Sequence, residues 1–501
     1  MEFDETIVAL ATPSGKGALA LIRLSGPDAL KIADSAWQGK SLLSCASHTA
    51  HLGYIIDENG NILDQAVATP YLAPNSFTGE NIVEFSLHGS KWIVRQVINL
   101  LLHKGARGAE PGEFSRRAYM NGRMDLASAE GVADLIASSS KAAHTLAINQ
   151  TRGAFSREFN ALRDKLIQLA SLLELELDFS EEDVEFADRS SLLNTANELL
   201  TKIDRLTKSY SAGRAFKEGV PVVIAGVPNV GKSTLLNALL QEDKAIVSDI
   251  PGTTRDVIED TCEIEGVLFR FIDTAGLRQS SDRIESIGIN LARKRLSQAS
   301  IILWLFDPID PIAPQIEEMK SSLSNLDSGQ TIIPVITKTS HPEIQSDTIA
   351  RIEKQIKEIS SESYIQTQEP SKNPSDKAEI QIKEPIRISA AEANIRIKKP
   401  IRISAAEDLG LDRLCEALKS ASTGDYDPEK EIVLTNARHY GDLLKAGESL
   451  RRAVSQIENG LSADIIAMDV RQAIAALNSL TGSIATPDLL NSIFSSFCIG
   501  K

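Results

Sequence analysis

The octet Gly226-Val-Pro-Asn-Val-Gly231-Lys232-Ser233 restricts what this chain can fold into more than any other stretch. An apolar run from Val220 to Ala225 precedes it and a helical pattern from Thr234 to Leu240 comes after, so the spacing predicts a strand, a turn and a helix. Such a turn points successive backbone N–H groups and the helix N-terminus at one spot, which suits a phosphate. Lys232 would neutralise the β- and γ-phosphate oxygens, and the Ser233 hydroxyl would ligate Mg2+. Asn229, Val230, Gly231, Lys232, Ser233 and Thr234 are accordingly the first candidates for nucleotide contact.

Two later motifs fall in the order a nucleotide switch requires. The stretch Ser248-Asp249-Ile250-Pro251-Gly252-Thr253-Thr254 ends in a threonine pair on a flexible loop, and Thr254 is placed to close on Mg2+. Asp273-Thr274-Ala275-Gly276 comes after the apolar run 268–272, where a carboxylate reaches magnesium through water and a glycine N–H senses the γ-phosphate. These three motifs predict a Ras-like α/β P-loop GTPase domain.

Base selection departs from the usual pattern. Small GTPases read guanine with an [NT]KxD motif after a strand, but here the run is Thr337-Lys338-Thr339-Ser340. A neutral hydroxyl lacks the two-oxygen grip of a carboxylate, so guanine discrimination is expected to be weaker or to come from another residue. The Ser-Ala pair that often closes such a pocket occurs twice, as Ser389-Ala390 and Ser404-Ala405. The second is favoured, because Leu409-Gly-Leu-Asp-Arg-Leu414 then starts a terminal helix.

At 501 residues the chain is too long for one core and divides into several domains. Short β-type runs at 7–10, 18–24 and 82–87 and a helical stretch at 92–103 predict an N-terminal α+β domain over 1–123. Leu162, Leu166, Leu169, Leu172, Leu173 and Leu177 recur at helical spacing and place the first half of a helical domain at 124–215. The GTPase domain, 216–424, is read as inserted into that helical domain, whose second half is 425–501. Within the insert, 340–400 is polar and carries a near-duplicate, 382–392 against 397–407, and is expected to be a flexible surface excursion.

A net charge of −15 argues against non-specific coating of nucleic acid, so any nucleic-acid partner would be met by a local patch. Cys45, Cys262, Cys415 and Cys498 show no metal or disulfide spacing, and a reducing, cytoplasmic setting is expected. No apolar run approaches the ~20 residues a membrane-spanning helix needs.

On these residues the chain resembles the MnmE (TrmE) family of tRNA-modification GTPases. The resemblance extends to Asp4-Glu-Thr-Ile-Val-Ala-Leu-Ala-Thr-Pro13, Arg23-Leu-Ser-Gly-Pro27, Pro74-Asn-Ser-Phe-Thr-Gly-Glu80, Glu110-Pro-Gly-Glu-Phe-Ser-Arg-Arg-Ala-Tyr119 and the terminal Phe497-Cys-Ile-Gly-Lys501. It implies work with the flavoprotein MnmG, in a heterotetramer-type complex, to add a carboxymethylaminomethyl-type group at C5 of the wobble uridine of certain tRNAs. It also implies a homodimer through the N-terminal domain, G domains that pair in the GTP state, and a one-carbon donor, 5,10-methylene- or 5-formyl-tetrahydrofolate.

By motif matching the folate contacts fall on Arg23, Glu84, Arg123 and Lys501. Leu277 stands where Ras-type proteins keep a water-orienting glutamine. The family's substitute is K+, to be held by Asn229, Ser248, Ile250 and Thr253, with Glu285 as the catalytic glutamate. Cys498 is a second catalytic candidate, its plain alternative being a packing role behind Phe494 and Phe497. The rival function is an Era-like switch that binds ribosome or RNA without modification chemistry. An ATPase of the same loop class is a third reading.

Overall fold

The computed structural model describes residues 4–178, 189–242, 259–272, 295–323, 326–327, 329–361, 363–366, 386–389, 395–407, 409–424, 426–482, 486–495 and 497–500. The chain forms two compact units. Met1–Ala137, Ala147–Arg205 and Gly441–Lys501 make one, and Ser138–Leu146 with Leu206–Tyr440 make the other.

The first unit opens with β1 (Ile7–Leu10), β2 (Leu19–Ser25), α1 (Ala29–Ser35), β3 (Trp37–Gln38), β4 (His51–Ile56), β5 (Ile62–Tyr71), β6 (Ile82–His88), α2 (Lys91–His103), β7 (Arg107–Gly108) and α3 (Glu113–Met120). Its strands form one sheet in the order β3-β4-β5-β6-β2-β1-β7. All neighbours are antiparallel except β1 and β7. Side chains alternate across the sheet. Val8, Ile22, Leu24 and Phe85 face one core with Ile32 of α1 and Val97 and Leu101 of α2, while Ile7 and Ala9 face a smaller one with Phe114 of α3.

Four helices come next along the chain: α4 (Leu126–Ala137), α5 (Lys141–Thr151, which belongs to the second unit as far as Leu146), α6 (Ala154–Asp178) and α7 (Arg189–Lys208, which belongs to the first unit as far as Arg205). On α6 the residues Leu162, Leu166, Leu169 and Leu173 are buried, whereas Leu172, grouped with them by spacing, is 43% exposed. In the same unit α6 packs along the helix Ala463–Thr481. The last helix, Pro487–Ser495, brings Phe494, with Phe497 after it, onto Leu126 and Ala129 of α4.

In the second unit come α8 (Tyr210–Glu218), β8 (Val220–Ala225), α9 (Lys232–Glu242), β9 (Glu259–Ile264), β10 (Val267–Ile272), β11 (Ile301–Phe306) and β12 (Thr331–Ile336). Beyond them lie β13 (Ser363–Gln366), β14 (Ile386–Ser389), β15 (Arg396–Ile397) and β16 (Ile401–Arg402). The main sheet runs β15-β12-β11-β8-β10-β9, with β16 also on β12, and β13 pairs with β14 in a separate two-stranded sheet. Every pairing in the main sheet is parallel except β9 with β10. Helices cover both faces, so β11 and β12 are buried at every position and read as continuous apolar runs.

The expectation of a single surface excursion over 340–400 needs correction. Ser346–Ser361 is a helix whose Ile349, Ile352, Ile356 and Ile359 are buried in the same core as Ile302, Trp304 and Phe306 of β11. Those isoleucines recur at helical spacing within a polar background, so average composition hid the stripe. The stretches 367–385 and 390–394 lie outside the described residues.

A buried charge network fixes α3. Arg117 is fully buried and pairs with Glu113 at 3.0 Å and Glu80 at 3.2 Å, and it donates to the Glu5 carbonyl at 2.9 Å. Burial pushes the Glu113 carboxyl up, but bonds from Arg107, the Glu110 amide and Arg117 outweigh it and hold it below the ordinary range. Because the folded pKa lies below the unfolded one, this stabilisation is full at neutral pH. It is lost as pH falls below the ordinary glutamate value of about 4.3 toward the folded value. Arg117→Met, which takes the cation from Glu80 and one of two cations from Glu113, the other being Arg107, is expected to cost about 3 kcal/mol in urea unfolding at pH 7. The loss should shrink as the pH is lowered through that window, and a cost below about 1 kcal/mol would show the network to be dispensable.

Candidate active site

Strand β8 lies between β11 and β10, the point where successive connections leave to opposite sides of the sheet, and its C-terminal end therefore opens a crevice. The loop 226–231 occupies that end. Gly226 has φ +136°, and a Cβ there would stand 2.7 Å from the Leu305 carbonyl oxygen, so glycine alone lets the turn pass β11. Val230 is fully buried and anchors the loop, while Asn229 takes a left-handed φ of +62°. Lys232 opens α9, and its Nζ donates to the carbonyls of Gly226 at 2.6 Å and Val227 at 2.8 Å. Burial pushes its pKa below the ordinary lysine range, with Glu318 opposing the shift.

The far wall comes from the end of β12. The Thr337 hydroxyl donates to the carbonyls of Val230 at 2.8 Å and Phe306 at 3.1 Å, which ties the phosphate loop to β11 and β12. Lys338, at φ +54°, pairs through Nζ with Oδ2 of Asp307, a carboxylate that is 1% exposed and comes directly after β11. The other oxygen of Asp307 accepts from the Ile309 amide at 2.9 Å. The sequence reading missed Asp307, although a lone carboxylate after six apolar residues was the available signal.

Ser340 Oγ lies 2.7 Å from Ser404 Oγ, and the Thr339 hydroxyl donates to the Ile403 carbonyl at 2.9 Å. The structure thus brings Ser404 and Ala405 to this wall, whereas Ser389 ends β14 in the separate two-stranded sheet. Ser248, Asp249, Ile250, Pro251, Gly252, Thr253, Thr254, Asp273, Thr274, Ala275, Gly276, Glu285 and Lys501 lie outside the described residues.

In the first unit Arg23 of β2 and Glu84 of β6 are register partners, and the guanidinium meets Glu84 Oε1 at 2.7 Å. The Arg23 guanidinium also lies 5.6 Å from the ring centroids of both Phe77 and Phe114. Tyr71 donates to Glu84 at 3.4 Å; burial first, then the Glu84 charge, pushes its pKa up. The pair is neither sealed nor open, at 19% and 17% side-chain exposure. Arg123 lies against Gly79, on the loop that carries Phe77.

The tail reaches the same end of the sheet. The exposed Cys498 accepts through its carbonyl from Gly112 at 3.4 Å, two residues before Phe114, and a Cβ on Gly500 would stand 2.3 Å from the Leu10 carbonyl oxygen. Sequence alone assigns no role to Tyr71, Phe77 or Phe114.

A strand-loop-helix cradle at a sheet crossover, walled by a Thr-Lys turn and a Ser-Ala loop, defines a P-loop nucleotide-binding protein of the Ras-like α/β class. Residues 126–498 match the family model described as the MnmE helical domain, and 6–123 match that of the GTP-binding protein TrmE N-terminus. The chain belongs to the MnmE family. Curated relatives called tRNA modification GTPase MnmE include one from Cytophaga hutchinsonii, 44% identical over 99% of this chain and 98% of its own. That of Flavobacterium johnsoniae is 41% identical over 99% of both, and that of Bacteroides thetaiotaomicron 42% over 99% and 100%. A solved FeoB G-domain from Methanococcus jannaschii aligns with 40% of this chain and 97% of its own at 18% identity and a TM-score of 0.22.

Because Asp307 holds the Lys338 ammonium, Asp307→Asn should raise the Kd for GTP about tenfold, the usual scale of a lost charge-assisted bond. Fluorescent-nucleotide titration checks this, and an unchanged Kd would reduce Asp307 to a turn-forming residue.

Proposed function

We propose that this chain hydrolyses GTP to drive tRNA modification, acting with MnmG to build a carboxymethylaminomethyl-type group at C5 of the wobble uridine. The observation that carries the reading is the loop 226–233 at the crossover of a parallel sheet, roofed by Thr337 and Lys338, in a chain of the MnmE family. The loop's N–H groups and Lys232 bind and orient the β- and γ-phosphates, and Ser233 with Thr254 would hold Mg2+. The Ser404-Ala405 loop would close on the base.

Leu277 carries no group to orient water; by the family resemblance Asn229, Ser248, Ile250 and Thr253 would hold a K+ that supplies positive charge to the phosphates, and Glu285 would position the water. The left-handed backbone at Asn229 is compatible with that role, since asparagine is one of the few non-glycine residues that take it readily. The Arg23–Glu84 pair fits a tetrahydrofolate: two aromatic rings flank the guanidinium, and the carboxylate beside it is able to accept from a pterin amide edge. When bound, the folate supplies the one-carbon unit. Arg123 and Lys501 would meet its anionic tail. The chain is expected to act in the cytoplasm, as a homodimer through the N-terminal domain with G domains pairing in the GTP state. Among the described residues no helix is long and apolar enough to cross a membrane.

Hydrolysis should run faster in K+ than in Na+ when phosphate release is monitored at equal ionic strength, and Asn229→Ala should erase the difference. Glu285→Ala should slow turnover by about 10²–10⁴ with GTP affinity retained. Equal rates in the two salts would count decisively against an ion at the loop.

Cys498→Ser separates chemistry from packing, because a thiolate is a strong carbon nucleophile and a hydroxyl is not. GTP hydrolysis should stay near normal while nucleoside analysis of tRNA from cells carrying the variant finds the modified uridine absent. Normal modification would leave Cys498 a packing residue.

A further inference from the structure

We infer that the base pocket takes 6-oxopurine nucleoside triphosphates as a class and is indifferent to the group at C2, an inference that rests on the reading of the second unit as a GTP-hydrolysing domain. Guanine differs from hypoxanthine by an amino group at C2, and from xanthine by bearing a donor there in place of a carbonyl. A fixed carboxylate accepts from N1–H and the 2-amino group together and so rewards guanine alone. The Ser340 and Ser404 hydroxyls, 2.7 Å apart, each carry one rotatable donor and two acceptor lone pairs. Such a pair can turn an acceptor toward an amino group or a donor toward a carbonyl, and demands nothing of a hydrogen.

The backbone holds the pair in place. Ser404 is 3% exposed, its amide donates to the Leu409 carbonyl at 2.9 Å, and its carbonyl accepts from Leu409 at 3.1 Å. On the other side the Thr339 amide and hydroxyl both donate to the Ile403 carbonyl, at 3.2 and 2.9 Å, so the loops bearing the two serines are bound to each other. Asp307, a buried carboxylate on this wall, is engaged with Lys338 and the Ile309 amide. Discrimination at C6 survives. The Ala405 amide, next to Ser404, donates to no protein acceptor among the described residues, and an N–H suits a 6-oxo group and not the 6-amino group of adenine.

The test uses the full chain, a fluorescent GTP analogue and displacement by GTP, ITP, XTP and ATP. GTP and ITP should compete within about threefold of each other and XTP within about tenfold, with ATP at least about 100-fold weaker. Ser340→Asp should open a gap of about tenfold or more between GTP and ITP, whereas Ser340→Ala should not. A wild-type preference for GTP over ITP of about 30-fold or more would overturn the inference, and the disappearance of that preference in Glu407→Gln would then make that exposed carboxylate the reader. Phosphate release from GTP is measured alongside. Its absence would remove the hydrolytic reading while the displacement series still decides base selection.

Discussion

One side-chain hydroxyl joins the parts of the nucleotide site. The single hydroxyl hydrogen of Thr337 is shared between the phosphate loop at Val230 and the end of β11 at Phe306, so β8, β11 and β12 cannot splay without losing a buried bond. Three parallel strands alone would leave their C-terminal loops free to diverge, since parallel pairing constrains the ladders and not the connections. With that bond made, a loop that must offer its N–H groups inward has its depth set against the wall that would close on the base. Gly226 completes the constraint from below, where the Leu305 carbonyl leaves no room for a Cβ. Lys232 can then be desolvated without being misplaced, because the carbonyls that receive it belong to the same fixed loop.

The N-terminal unit solves a different problem with a related device. Its second sheet face carries a polar pair, Arg23 and Glu84, where an apolar side chain would otherwise be expected. A guanidinium tolerates this position because two aromatic rings flank it and a carboxylate meets it, which lowers the cost of leaving water. Phe114 reaches the pair from α3, which Arg117 and Glu113 lock through buried charges. The C-terminal segment docks at the start of that helix through Gly112, so the far end of the sequence is tied to the ring that flanks Arg23.

How legible each element is in the sequence depends on how it is buried. Strands β8, β11 and β12 are covered on both faces and announce themselves as uninterrupted apolar runs. Strands β4 and β5 alternate buried and exposed positions, with Leu52 and Ile62 outside, and give no comparable signal. The helix Ser346–Ser361 is hidden by the Lys and Glu that stand between its isoleucines. The phosphate loop is legible because its chemistry is local in sequence, each residue serving a neighbour. Asp307 and the Tyr71, Phe77, Phe114 group are not, because their roles depend on partners brought up by sheet register.

The tandem duplication shows why local pattern is insufficient even when it is strong. Residues 385–392 and 400–407 are identical, so propensity and hydrophobic alternation offer either copy to the open edge of β12 with equal force. The copies differ in the residues that come after them. Beyond the second stands Gly410, at φ +81° and so close to the Arg402 carbonyl that a Cβ would stand 2.3 Å from its oxygen, and the chain turns there into the helix Leu411–Thr423, whose Leu411, Leu414 and Leu418 are buried. The equivalent position after the first copy is Ile395, which can neither take that backbone conformation cheaply nor give the carbonyl room. The choice between two identical strands is thus made by a glycine outside both, and with it the choice of which serine meets Ser340.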